Sequence, residues 1–317
     1  MMSPFKIVFM GSPETALPSL KVLLASDDQV VGVVSQPDRP AGRGRTLTSP
    51  AVATLAREKK IPLFQPEKIK NNPELLNTLK QLSPDLIVIV AYGRILPKEI
   101  LSLPPMKCLN VHFSLLPQYR GAAPIQWALM NDEATTGVTT FYLVEKLDAG
   151  PILMQKKVVV EPEDNVEILG NRLAVVGSQL LRETIALLKG GGINAVPQNE
   201  RQVTLAPPLK KEDGLIDWSR KAKVIRSQVR GTTPWPGAYT LLKGKIFKIA
   251  SAAVIPLKKE SAVPGEIIQT GEEGIEVACG RDGLLLKEVQ LEGGKKMDAA
   301  VFLKGHPLAI GERLGKE

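Results

Sequence analysis

The chain is poor in the residues on which several common chemistries rest. Of its 317 residues only two are cysteine, two are histidine and 4% are aromatic. Cys108 and Cys279 stand alone, without CxxC spacing, which argues against a disulfide scaffold and a structural zinc site, and no metal is expected. Cys108 lies in an apolar run and reads as a small buried hydrophobe, although His112 is near enough in sequence to raise the alternative of a nucleophile. The longest apolar runs, KIVFM and DLIVIV, fall well short of the roughly 18 residues a membrane span needs. The opening MMSPFKIVFMGSPE lacks the basic flank, long apolar region and cleavage site of a secretory signal, so the expected location is the cytoplasm. Nucleotide loops are missing too. The first apolar run leads into GSPET, with neither GxGxxG nor GxxxxGK[ST], and so no dinucleotide follows from the pattern.

Positive charge is abundant. The formal net charge is +8, and Lys210 to Lys248 holds ten Lys or Arg against three Asp or Glu. A solvated cationic face and a polyanion-binding face are equally compatible with that count alone. A second basic element favours the latter. The stretch SQPDRPAGRGRTLTSP carries Arg39, Arg43 and Arg45 in a loop that Pro37 and Pro40 keep irregular, a placement suited to contacting phosphates.

Strand-like and helix-like patterns alternate along the first two thirds of the chain. Phe5 to Met10 reads as a buried strand, followed by Ser12 as a helix cap and Pro13 at the first helical position. Val30 to Gln36 reads as a strand, Ser49 and Pro50 open a helix to about Lys60, and Asn72 and Pro73 open another. Asp85 to Tyr92 is apolar on both faces, as central parallel strands are. Lys107 to Phe113 follows as a strand, Ala123 to Met130 as a helix, Gly137 to Val144 and Ile152 to Val160 as strands, and Asn165 to Lys189 as a long amphipathic helix. The expected fold is α/β: a Rossmann-like N-terminal domain with a mostly parallel sheet over 1–189. Three glycines, Gly190 to Gly192, stop the last helix, and 190–207 reads as a linker. Short alternating strands from 208 to 317 predict a smaller C-terminal β-barrel, OB-like in its spacing. Trp218 and Trp235 are expected in its core, with base stacking as the alternative. His306 has no expected catalytic duty.

Chemistry is most concentrated in CLNVHFSLLPQYRGAAPIQW. If Leu109 to Phe113 is extended, Asn110 and His112 point to one face while Leu109, Val111 and Phe113 pack on the other. A carboxamide and a titratable imidazole then share one small volume.

That window, with TGVTTFYLVEKLDAGPIL after it, resembles the signature of the folate-dependent formyltransferases. FMGSPE, SQPDRPAGRGRTLTSPAV, KEDGLIDW and RGTTPWPGAY extend the likeness over both domains, toward the branch of the family that formylates methionyl-tRNA. Departures are local: Thr15 replaces a usual aromatic, and Ala149-Gly150-Pro151 follows the aspartate where Thr-Gly-Asp is common. The resemblance implies 10-formyltetrahydrofolate as formyl donor, methionyl-initiator-tRNA as acceptor, and a catalytic set of Asn110, His112 and Asp148. It further implies a folate site lined by Ser114, Leu115, Leu116 and Pro117, with Arg94, Ile95 and Leu96 beside it. Arg43 and Arg45, with Arg39, Lys210, Lys211, Lys223, Arg226 and Arg230, become the expected RNA contacts, and a monomer is expected.

Each implied role is chemically sensible. A neutral α-amine is already nucleophilic, so no covalent enzyme intermediate is needed. Asn110 can donate to a developing oxyanion without titrating, and His112 can donate to it or relay a proton. Asp148 can orient that imidazole and a shuttling water. Three rivals differ in acceptor or in kind. A folate deformylase would pass the formyl group to water, a sugar or purine-precursor formyltransferase would need another acceptor pocket, and a non-catalytic RNA-binding protein would leave the Asn, His and Asp idle.

Overall fold

Two-sided burial decides the centre of the first domain. Lys6–Gly11 (β1), Leu86–Val90 (β4) and Cys108–His112 (β5) are almost wholly buried, because near-continuous apolar strands are stable only where both sheet faces are covered. The computed structural model describes residues 3–41, 46–257 and 262–315. Around those strands lie Gln29–Val34 (β2), Leu63–Phe64 (β3), Thr135–Tyr142 (β6) and Ile152–Val159 (β7). The sheet order is β7-β6-β5-β4-β1-β2-β3. Along that order β5 to β3 are joined through parallel pairs, and β6 and β7 complete the sheet as an antiparallel edge. This is the Rossmann-like, mostly parallel architecture expected from the alternation of patterns.

The helices are Leu17–Leu24 (α1), Ala51–Glu58 (α2), Pro73–Leu82 (α3), Lys98–Leu101 (α4), Pro124–Met130 (α5) and Val166–Lys189 (α6). Asn72 caps α3 as its sequence suggests, accepting from the Leu75 N–H at 2.9 Å. Ser12 does not cap a helix. Its Oγ accepts from the Gln36 N–H at 3.1 Å, tying the ends of β1 and β2, and α1 begins only at Leu17 after a short 3-10 turn. On one sheet face Val8, Met10, Ile87, Ile89 and Cys108 form a core with Leu75, Leu79 and Ile100. Strand alternation therefore continues that face into Asn110 and His112.

The chain divides into two compact units, Met1–Pro124, Thr135–Val159 and Gly170–Pro207 in one, Ile125–Ala134, Val160–Leu169 and Pro208–Glu317 in the other. In the second unit Ala238–Leu242 (β8), Lys245–Ile255 (β9), Ile267–Gly271 (β10), Gly274–Ala278 (β11), Gly283–Leu291 (β12) and Met297–Asp298 (β13) form an antiparallel sheet. Its order is β8-β9-β12-β11-β10, with β13 on β12. Ala222–Thr232 (α7) and Ala299–Gly305 (α8) complete it, and Trp218, Ile225, Phe247, Leu286 and Phe302 lie in its core. Irregular register at Ile249, Ser251 and Ala252 lets β9 bend and keep pairing along its length.

Residues read from sequence as a linker do more than connect. Val196 bridges Ile152, and Leu205–Ala206 pairs in parallel with Arg120–Gly121. The stretch 196–206 is thus a strap belonging to the first unit. Backbone bonds reach it from Tyr119, whose N–H donates to Thr204 Oγ1 at 2.8 Å, and from Arg120, whose N–H donates to the Thr204 carbonyl at 2.9 Å.

Candidate active site

β5 delivers Asn110 and His112 to one end of the sheet, opposite Phe141 and Thr139 of β6. His112 is only 6% exposed, and its Nε2 lies 2.9 Å from the Tyr119 carbonyl oxygen. A carbonyl can only accept, so Nε2 carries the proton in this bond and Nδ1 is the nitrogen left for chemistry. Nδ1 faces Asp148, whose Oδ2 is 3.8 Å away. The ring is further seated edge-on against Phe141, with centroids 6.3 Å apart. Because the chain has two histidines, selective imidazole labelling gives a two-residue spectrum. For neutral His112 the nitrogen NMR signature is expected to place the proton on Nε2, and a proton on Nδ1 would contradict this orientation.

Asn110 differs from its neighbours in having nothing to bind. Among the described residues its carboxamide makes no hydrogen bond to protein, although the residue is buried. Its amide atoms are not among the fully enclosed atoms that lack a partner, so they keep access to solvent. An amide left open at the end of an otherwise satisfied strand is suited to a ligand oxygen.

Asp148 is held from two sides. Its Oδ2 accepts from the Gly121 N–H at 2.8 Å, and its backbone is left-handed, with φ 47°, a region that Asp tolerates better than most residues. The following Gly150 has no alternative: a Cβ there would sit 1.7 Å from the Tyr142 carbonyl oxygen. Gly121 is equally constrained, with φ 135° and the Ala206 carbonyl oxygen 2.3 Å from where a Cβ would be. The carboxylate thus reaches His112 through a backbone that only glycine permits on both sides.

The loop after β5 is built rigidly. Thr139 Oγ1 donates to the Ser114 carbonyl at 2.7 Å and accepts from the Leu116 N–H at 3.1 Å, while Gln155 Nε2 donates to the Leu116 carbonyl at 2.8 Å. Ser114 is fully buried and its hydroxyl donates to the Gln118 carbonyl at 2.6 Å. Leu116 is buried, whereas Leu115 and Pro117 are half-buried. Of the four expected folate-lining residues, then, Ser114 and Leu116 have side chains committed to the protein, and Leu115 and Pro117 keep surface. At the end of β4, Leu96 is buried, Arg94 is exposed with its Nε donating to Gln36 Oε1 at 3.2 Å, and Ile95 is 74% exposed. An apolar side chain so exposed beside a strand terminus is suited to covering a ligand. A separate cavity of about 660 Å³ at Ser12, Glu14, Lys21, Ser49, Thr54 and Glu58 includes none of the three expected catalytic residues.

Cys108 is a core residue. Burial pushes its thiol up to about 12, which leaves no thiolate at neutral pH and removes the nucleophile alternative.

The expected RNA contacts separate into free and committed cations. Lys210 and Lys211 are exposed. Arg39 is exposed and pairs with Glu67 at 3.1 Å. Lys223 is exposed but pairs with Asp132 at 2.6 Å. Arg226 and Arg230 are engaged within the protein: Arg226 bonds the Pro162 carbonyl and Glu163, and Arg230 donates to the carbonyls of Asp164 at 2.6 Å and Glu161 at 2.8 Å. These two guanidiniums brace α7 against 160–169 within the second unit, which takes up part of their donor capacity. Arg43 and Arg45 lie outside the described residues. Asp38 and Ser49, which flank that loop, are joined at 2.8 Å. Trp218 is core, its Nε1 donating to Thr240 at 3.0 Å. Trp235 is not: it is 55% exposed, because it stands between Pro234 and Pro236 in a turn and not in a strand facing the core.

The fold is shared by enzymes of many kinds, and comparison with known proteins gives the class. Residues 5–185 match the formyl transferase family and 208–307 match the formyl transferase C-terminal domain. The chain belongs to the formyl transferase family. End to end it is 47% identical over 313 residues to the methionyl-tRNA formyltransferase of Trichlorobacter lovleyi, covering 99% of this chain and 98% of that one. It is 45% identical over 315 residues to the methionyl-tRNA formyltransferase of Geobacter sulfurreducens, covering 99% and 98%. Among solved structures, its fold is similar to HypX from Aquifex aeolicus in complex with tetrahydrofolic acid, with TM-score 0.63 and 19% identity over 99% of this chain and 51% of that one. It is also similar to an N-formyltransferase from Helicobacter canadensis in complex with folinic acid and dTDP-3-aminofucose, with TM-score 0.65 and 17% identity over 89% and 99%.

Proposed function

We propose that this enzyme transfers the formyl group of 10-formyltetrahydrofolate to the α-amino group of methionyl-initiator-tRNA, giving N-formylmethionyl-tRNA in the cytoplasm. The observation that carries the reading is that Asn110, whose amide makes no hydrogen bond among the described residues, shares a strand face with His112, and that the Asp148 carboxylate lies 3.8 Å from His112 Nδ1. Asn110 donates to the formyl oxygen as negative charge develops there during amine attack. His112, oriented through Nε2, keeps Nδ1 in the reacting volume, where it donates to the same oxygen or takes part in moving a proton from the attacking amine to the departing folate nitrogen. Asp148 orients the imidazole and fixes a water on the proton path.

Ile95, Leu115 and Pro117 offer apolar surface to the folate ring, and the backbone of 114–117 offers directional bonds. Full-length identity of 45 to 47% with methionyl-tRNA formyltransferases supports the RNA acceptor over an aminosugar. The abundance of exposed cations gives a reason for that acceptor which a deformylase lacks. The test is product identity: purified enzyme, donor and methionylated initiator tRNA are expected to yield N-formylmethionine on the RNA. Formate release at the same rate without RNA would instead identify a deformylase.

Lys210 and Lys211 are proposed to neutralise RNA phosphates, together with Arg43, Arg45 and Arg39. Replacing both lysines with alanine is expected to raise the KM for tRNA. It should also flatten the dependence of log KM on log salt by about 0.7 to 0.9 for each phosphate that is no longer neutralised. An unchanged salt slope would remove them from the RNA surface.

A further inference from the structure

Gln198 lies in the strap between the two domains' sequences, and it ties together the two backbone segments that hold the site. Its Nε2 donates to the carbonyl oxygens of Asp148 at 2.8 Å and Gly150 at 2.7 Å. Its Oε1 accepts from Arg120 Nε at 2.9 Å and Nη2 at 2.8 Å. Arg120 is only 3% exposed and sits between Tyr119, whose carbonyl holds His112, and Gly121, whose N–H holds Asp148. Arg120 Nη2 also bonds Glu200, and that hydrogen bond, with a second from Lys146, holds the Glu200 carboxyl down at about 2. The result is a closed circuit: His112 to Tyr119, along the chain to Arg120, across Gln198 to Asp148, and back to His112.

We infer that Gln198 is a positioning residue that sets the approach of the Asp148 carboxylate to His112 Nδ1, an inference that rests on the formyl-transfer reading above. Both amide protons of Gln198 are engaged by carbonyls of one tight turn, and Asp148 occupies its left-handed conformation within that turn. Without these donors, two inward carbonyls lose their partners and the turn is free to relax. Its relaxation would move the carboxylate while leaving Asn110 and the loop after β5, which are held by β5, Thr139 and Gln155, in place. Gln198 touches no reacting atom in this arrangement and acts through Asp148.

The variants Gln198→Met and Gln198→Glu separate positioning from a structural role. Met keeps the shape and removes the donors. Glu keeps the bond to Arg120 and sets an oxygen against two carbonyl oxygens. Steady-state formylation of methionyl-tRNA is expected to show kcat lowered roughly 10- to 100-fold, with Glu worse than Met, and with KM for donor and for tRNA nearly unchanged. Enzyme that remains folded by its melting curve but keeps wild-type kcat in both variants would overturn the inference, as would a change confined to KM. If one variant fails to fold, the other decides. A wild-type enzyme that forms no N-formylmethionine would instead overturn the underlying reading.

Discussion

Asn110→Ala is expected to turn over roughly 100- to 1,000-fold more slowly, the usual loss when one oxyanion donor is removed, with KM for donor and RNA nearly unchanged. The folded protein makes little use of this amide. Among the described residues it has no protein partner, so truncation leaves no orphaned protein group and no broken strand pairing. Its backbone stays in β5 between β4 and β6. The free energy lost is therefore drawn from the transition state and not from folding or ground-state binding, which is the signature of a kcat effect. Collapse of donor binding with surviving turnover would show that the amide grips the ground state instead.

Asp148→Asn is expected to lower kcat roughly 100- to 10,000-fold, the range of general acid-base assistance. Asparagine is nearly isosteric, and its oxygen can keep accepting the Gly121 N–H that Asp148 Oδ2 accepts at 2.8 Å. What disappears is the negative charge facing Nδ1 of a buried imidazole. A carboxylate there stabilises an imidazolium that forms during proton movement, and a neutral amide does not. Single-turnover formylation separates this from slow product release. Wild-type rates in Asp148→Asn would reduce the carboxylate to a structural anchor.

Much of the scaffold was legible in the sequence because its determinants are local. A run apolar on both faces marked β4, a buried apolar run marked β1, and two-residue alternation alone placed Asn110 and His112 on one side of β5. Asn72 before Pro73 marked a helix start that the chain adopts. Ser12 before Pro13 carried a similar local signal and yet caps nothing, because a strand-end N–H 24 residues away, that of Gln36, takes its hydroxyl. Long-range choices of this kind are what local pattern does not encode.

The same distinction governs the site. Asn110 and His112 stood out because histidine is scarce and the family motif surrounds them. Gln198 did not stand out, since its partners Asp148 and Arg120 are 50 and 78 residues away and its neighbourhood has no periodicity. Its one local signal is a polar Gln-Asn-Glu cluster after Pro197, unusual for a passive tether. Arg226 and Arg230 illustrate the reverse case. Their charge is visible in the sequence, but the carbonyls of Pro162, Glu161 and Asp164 that take up some of their donors are not.

The most direct measurement of the central claim follows an isotopically labelled formyl group from 10-formyltetrahydrofolate in one vessel holding the enzyme, methionyl-initiator-tRNA, a nucleotide-linked aminosugar and water. The label is expected on the α-nitrogen of tRNA-bound methionine, and its transfer there should fall in Asn110→Ala and Asp148→Asn. Label appearing chiefly as formate or on the sugar amine, or reaching the RNA equally fast in both variants, would contradict the account.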